Sequence, residues 1–217
     1  ALVAEENDNR KLTELFTRVG RVQFFVLALV LIGYISVGKP FMCMWGGAEY
    51  AESYYITLFL IVPVTVPLIQ NLGIEIQRAK NMHRARSVVY ACLAVSNVIF
   101  SIFLIPKWGC IGAAAGTTVS LVLGNILFMN WYYHKKIGLD MLAFWKEILA
   151  LVPATLAVCL FGGVYTYFVK VGSWMMLAVS AAAFAVVYAL SMWLLGLNRY
   201  EKQLVRKMLR KLPGMKG

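Results

Sequence analysis

The chain alternates long apolar runs with short polar or Pro/Gly-rich clusters. Six runs stand out, at about 21–38, 55–75, 87–106, 111–132, 144–169 and 173–197. A strand of a membrane barrel would alternate apolar and polar positions with a period of two, and these runs do not. Each is instead about the length at which an α-helix crosses roughly 30 Å of hydrocarbon. The pattern predicts an all-α membrane protein, a bundle of six transmembrane helices over 21–197. Two amphipathic segments flank it. Leu12, Leu15, Phe16 and Val19 follow helical spacing, so residues 9–20 of a cytoplasmic linker (1–20) are expected to lie along the membrane surface and feed the first span. At the other end, Asn198 with Glu201 three residues later predicts a capped helix start, followed by Leu204, Met208 and Leu212 on a face opposite Arg206, Lys207 and Arg210. That makes 198–217 a basic amphipathic cytoplasmic tail, ended by Pro213 and Gly214.

Composition agrees with the pattern. Of 217 residues, 61% are hydrophobic and 14% charged, with a mean hydropathy of +0.72, against about 45–50% and 25% in a soluble domain. An ordinary soluble domain is excluded. The four cysteines, Cys43, Cys92, Cys110 and Cys159, have no paired spacing; they read as apolar packers, and neither a metal site nor a cofactor is expected. The opening polar segment begins at Ala1 and lacks the apolar core of a signal peptide, so a fragment of a longer protein is expected.

The net charge of +11 has a definite placement. Arg10, Lys11, Arg18 and Arg21 precede the first run, Arg78, Lys80, Arg84 and Arg86 separate the second and third, and Lys135, Lys136 and Lys146 separate the fourth and fifth. A basic tail follows the sixth. The other three connections carry only Lys39, Lys107 and Lys170, one each, of 21 basic residues. By the positive-inside rule both ends are cytoplasmic. The same placement accounts for the basic excess through anionic headgroups, at about 1 kcal/mol per charge, with no need of nucleic acid.

Within the runs, Gly112, Gly116, Ser120 and Gly124 share one helix face and Ala178, Ala182 and Ala185 form a second stripe. Both predict close helix contacts. Trp45, Tyr50, Tyr54, Tyr55, Trp108, Trp131, Tyr132, Tyr133, Trp145 and Trp174 gather near run ends and read as interfacial anchors. Pro63 and Pro67 remove backbone donors from the second run and predict a kink. After it come Gln70, Asn71 and Glu75, candidates for the wall of a hydrated cavity, with pairing of Glu75 to Arg78 as the structural alternative. Asn97 and Asn125 are amides that can bond across helices. Asp140 reads as an N-cap. His83 and His134 assemble no catalytic set with a nucleophile by spacing, and no enzymatic activity is expected.

Several segments carry a likeness to a known family: RKLTELFTRVGRVQFF, GKPFMCMWGGAEYAESY, IVPVTVPLIQNLGIEIQRAKNMHRAR and LIPKWGCIGAAAGTTVSLVLGNILFMNWYYHKKIGLD. Over about residues 10–140 they resemble the C-terminal half of bacterial polysaccharide and O-antigen flippases. These are the Wzx-type transporters of the multidrug/oligosaccharidyl-lipid/polysaccharide exporter superfamily. The resemblance implies the second lobe of a two-lobe transporter with the fold of the multidrug and toxin extrusion (MATE) proteins, whose partner is the missing N-terminal lobe. It further implies transport of a polyprenyl-diphosphate-linked oligosaccharide across the bacterial cytoplasmic membrane by alternating access. A diphosphate needs cations at the cavity mouth, which nominates Arg21, Arg78 and Lys80 beside Gln70, Asn71, Glu75 and Asn97. A cation-coupled drug antiporter of the same superfamily, a membrane enzyme of polysaccharide assembly and a scaffold lobe stay open.

Overall fold

The computed structural model describes residues 9–169, 171–198 and 201–203, and among these every regular element is helical. In chain order the helices are α1 (Asn9–Gly46), α2 (Ser53–Ile69), α3 (Leu72–Ala79), α4 (His83–Leu121), α5 (Met141–Leu149), α6 (Val152–Phe168) and α7 (Trp174–Ser191). α4 runs on to Ile137 through widened π-helical turns at Val122–Phe128 and Tyr133–Ile137, and α7 ends in another at Met192–Gly196. α1 is central. It packs on α2 on one side and on α5, α6 and α7 on the other, while α2 packs in turn against α4.

Five continuous helical stretches are long and apolar enough to cross a membrane, and the third, Arg84–Ile137, has 54 residues. At 1.5 Å per residue a straight rod of that length would reach about 80 Å, far beyond any bilayer. It is not straight. Gly109 has φ 54° and ψ −132°, outside the helical region, and there the chain reverses. Gly112 then lies against the Leu104 backbone, Gly116 against Ser101 and Gly124 against Leu93, while Arg86 reaches the Tyr133 hydroxyl at 3.0 Å. Partners that move apart in sequence by matching steps define an antiparallel hairpin, with an outgoing arm (83–108) and a return arm (110–137). The glycine face predicted on the return arm is its seam.

The other boundaries move for local reasons. Residues 9–20 do not form a separate surface helix: they are the first turns of the 38-residue α1, and Leu12 and Phe16 are buried in the protein. α2 runs through Pro63 and Pro67 and stops at Ile69, so Gln70 and Asn71 form a break and Glu75 belongs to α3. The single run at 144–169 is two helices. Pro153, which has no N–H to give, starts the second one at a position where none is needed. Asp140 caps α5 as expected, its Oδ1 accepting from the Leu142 and Ala143 N–H groups at 3.1 and 3.0 Å.

Three packing expectations are corrected. Ala178 and Ala182 face outward; the buried stripe of α7 is Ser180, Phe184 and Tyr188, continued by Met192. Cys92 and Cys110 are exposed rather than packed. Tyr132 and Tyr133 belong to the core, although Trp45, Trp108, Trp131 and Trp174 are exposed as boundary anchors would be. Leu204, Met208 and Leu212 of the predicted tail face lie outside the described residues.

One apolar cluster, Phe16, Ile69, Ile76, Tyr133, Ile137, Met141, Phe144 and Ile148 among its members, sits at the basic end of the bundle. That end borders water, where burial is driven by the hydrophobic effect. Deeper in the bilayer lipid is as apolar as leucine, and contact rests on close approach and hydrogen bonds instead. The seam supplies both: Thr117 Oγ1 donates to Asn97 Oδ1 across the two arms at 3.2 Å.

Candidate functional site

The densest polar constellation lies at the basic end, around Arg21 on the inner flank of α1. The guanidinium side chain is 6% exposed and every one of its N–H groups is directed at an oxygen. Nε and Nη2 form a fork on Glu201 at 2.7 and 3.0 Å. Nη1 donates to both the backbone oxygen and Oε2 of Glu147, each at 2.9 Å, and Nη2 also reaches the Gly196 carbonyl at 3.1 Å. Glu147 lies in the last turn of α5 and Gly196 ends the π-turn after α7. Arg21 therefore sits at the negative ends of two helices as well as between two carboxylates.

Glu201 is itself held in place by a capping box. Its backbone N–H donates to Asn198 Oδ1 and its Oε2 accepts from the Asn198 N–H, both at 2.9 Å, which is the reciprocal pair the spacing predicts. Burial opposes ionisation of this carboxyl, but the hydrogen bonds from Arg21 and Asn198 and the guanidinium charge prevail and hold it below its usual range. The result is a clasp joining α1, α5, the end of α7 and the first turn of the tail. It borders a cleft of roughly 690 Å³ whose lining mixes Arg10, Arg18 and Arg21 with Glu14, Asp140, Glu147 and Glu201. The cleft is thus balanced in charge and is not a basic funnel.

Of the seven candidate cavity residues only Arg21 lines that cleft. Gln70 is buried, and its Nε2 donates to Asn130 Oδ1 at 3.0 Å. Asn130 also accepts from Trp145 Nε1 at 2.7 Å and donates to the Ile126 carbonyl at 2.7 Å, a backbone group in the widened turn of the return arm. Asn71 is exposed at the α2–α3 break. Glu75 and Arg78 pair with each other at 2.9 Å on the surface of α3, the structural alternative for that pair. Lys80 donates to the Ile137 carbonyl at 2.9 Å and to Asn9 Oδ1 at 3.1 Å, tying the end of α3 to the end of the return arm. Asn97 borders a separate recess of roughly 350 Å³ on the hairpin with Ser101 and Pro106. The structure therefore distributes the seven over three places. Asn71, Glu75 and Arg78 make one exposed polar strip at the basic end, Gln70 and Lys80 act as ties beside it, and Arg21 and Asn97 lie elsewhere.

Pro63 leaves one backbone carbonyl of α2 without its helical donor, and another helix supplies the replacement. With no N–H at Pro63, the Phe59 carbonyl one turn earlier loses its helical partner. Thr118 Oγ1 of the return arm donates to it at 2.5 Å. Sequence reading missed Asn130 and Glu147, took Trp145 only as an interfacial anchor, and also missed Gln77, which is fully buried with neither amide atom hydrogen-bonded among the described residues. An asparagine inside an otherwise apolar run was the one available signal for Asn130.

Comparison with known proteins gives a distant relationship. The chain is 24% identical over 196 residues to the "Uncharacterized membrane protein EpsK" of Bacillus subtilis (strain 168), an alignment covering 89% of this chain and 39% of that protein. The chain thus spans about two fifths of the length of the relative it matches. No protein-family model matches it, and no solved structure does. With five long apolar stretches and a bacterial membrane relative, the chain is a multi-pass membrane protein.

Proposed function

We propose that the chain forms one lobe of a transporter that moves a polyprenyl-diphosphate-linked oligosaccharide across the bacterial cytoplasmic membrane for surface polysaccharide assembly. The observation that carries this reading is the relationship to a bacterial membrane protein more than twice as long as the aligned segment. It agrees with the flippase-like segments that run from the start of α1 through the hairpin. Such a transporter breaks no covalent bond; it needs a polar path between two lobes and a cationic surface where the diphosphate is received.

Within this lobe the strip Asn71, Glu75 and Arg78 is the reception surface. Arg78 is 66% exposed at its side chain and, among the described residues, is held by a surface pair with Glu75, a contact worth about 0–1 kcal/mol that a diphosphate readily replaces. Arg21 has a different task. Its donors are occupied, so it holds the helices in position and leaves the substrate to Arg78, with Lys80 two residues further along.

The test uses cells lacking the full-length gene. Loss of surface polymer with the lipid-linked intermediate trapped on the inner leaflet, restored by the wild-type gene but not by Arg78→Gln at equal protein level, supports the reading. Unchanged glycan together with altered resistance to cationic drugs transfers the assignment to the drug antiporter. Full restoration by Arg78→Gln removes the strip from the path.

A further inference from the structure

We propose that the outer face of the α4 hairpin holds an anionic glycerophospholipid of the inner leaflet, with its phosphate on Arg84 and Lys135 and one acyl chain in the groove between the two arms. The inference is independent of the transported substrate, since it concerns a lipid of the bilayer itself.

Charge supplies the first argument. From residue 83 to residue 137 the chain contains no Asp or Glu. At the basic end of the hairpin Arg84, Lys135 and Lys136 are exposed, and among the described residues no hydrogen bond or ion pair is recorded for them. The carboxylate of the adjoining helix α3, Glu75, is engaged with Arg78. Arg86 lies beside them but is already spoken for, donating to the Tyr133 and Tyr90 hydroxyls at 3.0 and 2.7 Å with its guanidinium over the Tyr90 ring. Three exposed cations and the ordered Arg86, on arms that carry no Asp or Glu, form a receptor for a phosphodiester.

Shape supplies the second. A groove of roughly 260 Å³ runs between the arms, walled by Val88, Cys92 and Ser96 on one side and by Leu123 and Phe128 on the other. Its floor is the Leu93 side chain, which packs directly onto the bare backbone of Gly124. Arg84, Val88, Cys92 and Ser96 are four apart and share one face of the outgoing arm, so the cation stands one turn below the start of the groove. From Arg84 to Ser96 the helix rises about 18 Å, the depth of one leaflet from headgroup to near the bilayer middle. Trp131, half exposed, marks the interfacial level on the return arm.

A fluorophore on Cys92 reads occupancy of the groove directly. The full-length protein, with Cys92 as its one remaining cysteine, is labelled with bimane and placed in bilayers doped with acyl-brominated phosphatidylglycerol or phosphatidylcholine. Quenching at Cys92 is expected to saturate at about a fivefold lower mole fraction of the anionic lipid. The double variant Arg84→Gln/Lys135→Gln is expected to abolish that preference and Arg84→Lys to keep it, while a label on Cys110 at the far end of the hairpin responds equally to both lipids. Equal quenching at Cys92, a preference that survives the double variant, or displacement of phosphatidylglycerol by substoichiometric polyprenyl phosphate would each overturn the proposal.

Discussion

Arg21 illustrates how a residue can have the right charge for one role and the wrong surroundings for it. A guanidinium near the inner end of the first span is a natural phosphate ligand, but five donors bonded to Glu201, Glu147 and Gly196 leave no N–H for a ligand. Nothing in the sequence could reveal this, because Glu201 is 180 positions away and only its capping role is local. Replacing Glu201 with Gln strips the buried guanidinium of its main counter-charge. The expected cost is on the order of 3 kcal/mol, since an uncompensated buried charge remains, read as a lower midpoint of thermal unfolding in detergent. The pH dependence has a fixed sign. The Glu201 pKa is lower in the folded protein than in the unfolded chain, so its contribution is complete above the unfolded value of about 4.3 and disappears as pH falls through the folded one. The gap between wild type and Glu201→Gln should be flat near neutral pH and close on acidification below about pH 4; a gap that stays constant down to pH 3 would rule out the clasp as its source. Thr118→Val is the milder counterpart. It removes the donor to the Phe59 carbonyl that Pro63 leaves open, with an expected loss of about 1 kcal/mol, and the double variant Thr118→Val/Pro63→Ala should recover much of it because the helical N–H returns.

At the level of elements, hydropathy marked the helical stretches and missed their joints. Apolar density is a property of the residues themselves, so each run is helical over most of its length, although those at 55–75 and 144–169 each divide into two helices. Where a helix breaks depends on the backbone: the turn at 150–151 ahead of Pro153, the stop at Gln70 after Pro67, and the reversal at Gly109 each follow from one residue. Small-residue faces show the same division. The glycine face of the return arm and the alanine face of α7 look alike in sequence, yet only the first meets a partner within the described residues. Glycine gives a helix a concave surface that a second backbone can enter, as the Leu104 carbonyl does at Gly112, while alanine is equally acceptable to lipid. Consequently Gly116→Leu, which must displace Ser101 and Phe100, should splay the hairpin and cost at least about 2 kcal/mol by overpacking. Ala182→Leu should be nearly silent. Matched unfolding midpoints for the two variants would contradict the assignment of the seam.

For the whole molecule, the hairpin decides the topology. An uninterrupted third stretch would make five crossings and put the chain ends on opposite sides of the membrane; with the reversal at Gly109 each arm can cross once, which would make six and return both ends to the side that carries the positive charge. The polar cleft, the Arg21 clasp and the large apolar cluster all lie at that end, which makes its side the one fact on which every functional reading depends. Four single-cysteine variants of the full-length protein answer it: Lys11→Cys, Lys136→Cys and Gln203→Cys at exposed basic-end positions, and native Cys110, exposed one residue past Gly109. A membrane-impermeant maleimide applied to intact cells should label Cys110 and leave the other three unmodified until the cells are permeabilised. Labelling at position 11 and protection at 203, or the reverse, would require an odd number of crossings and remove the reversal. Labelling of all three basic-end positions with protection of Cys110 would keep the six crossings but invert the bundle. The cation strip would then lie on the outer face, where a substrate made in the cytoplasm does not first meet it, and both the transport proposal and the inner-leaflet lipid site would fall together.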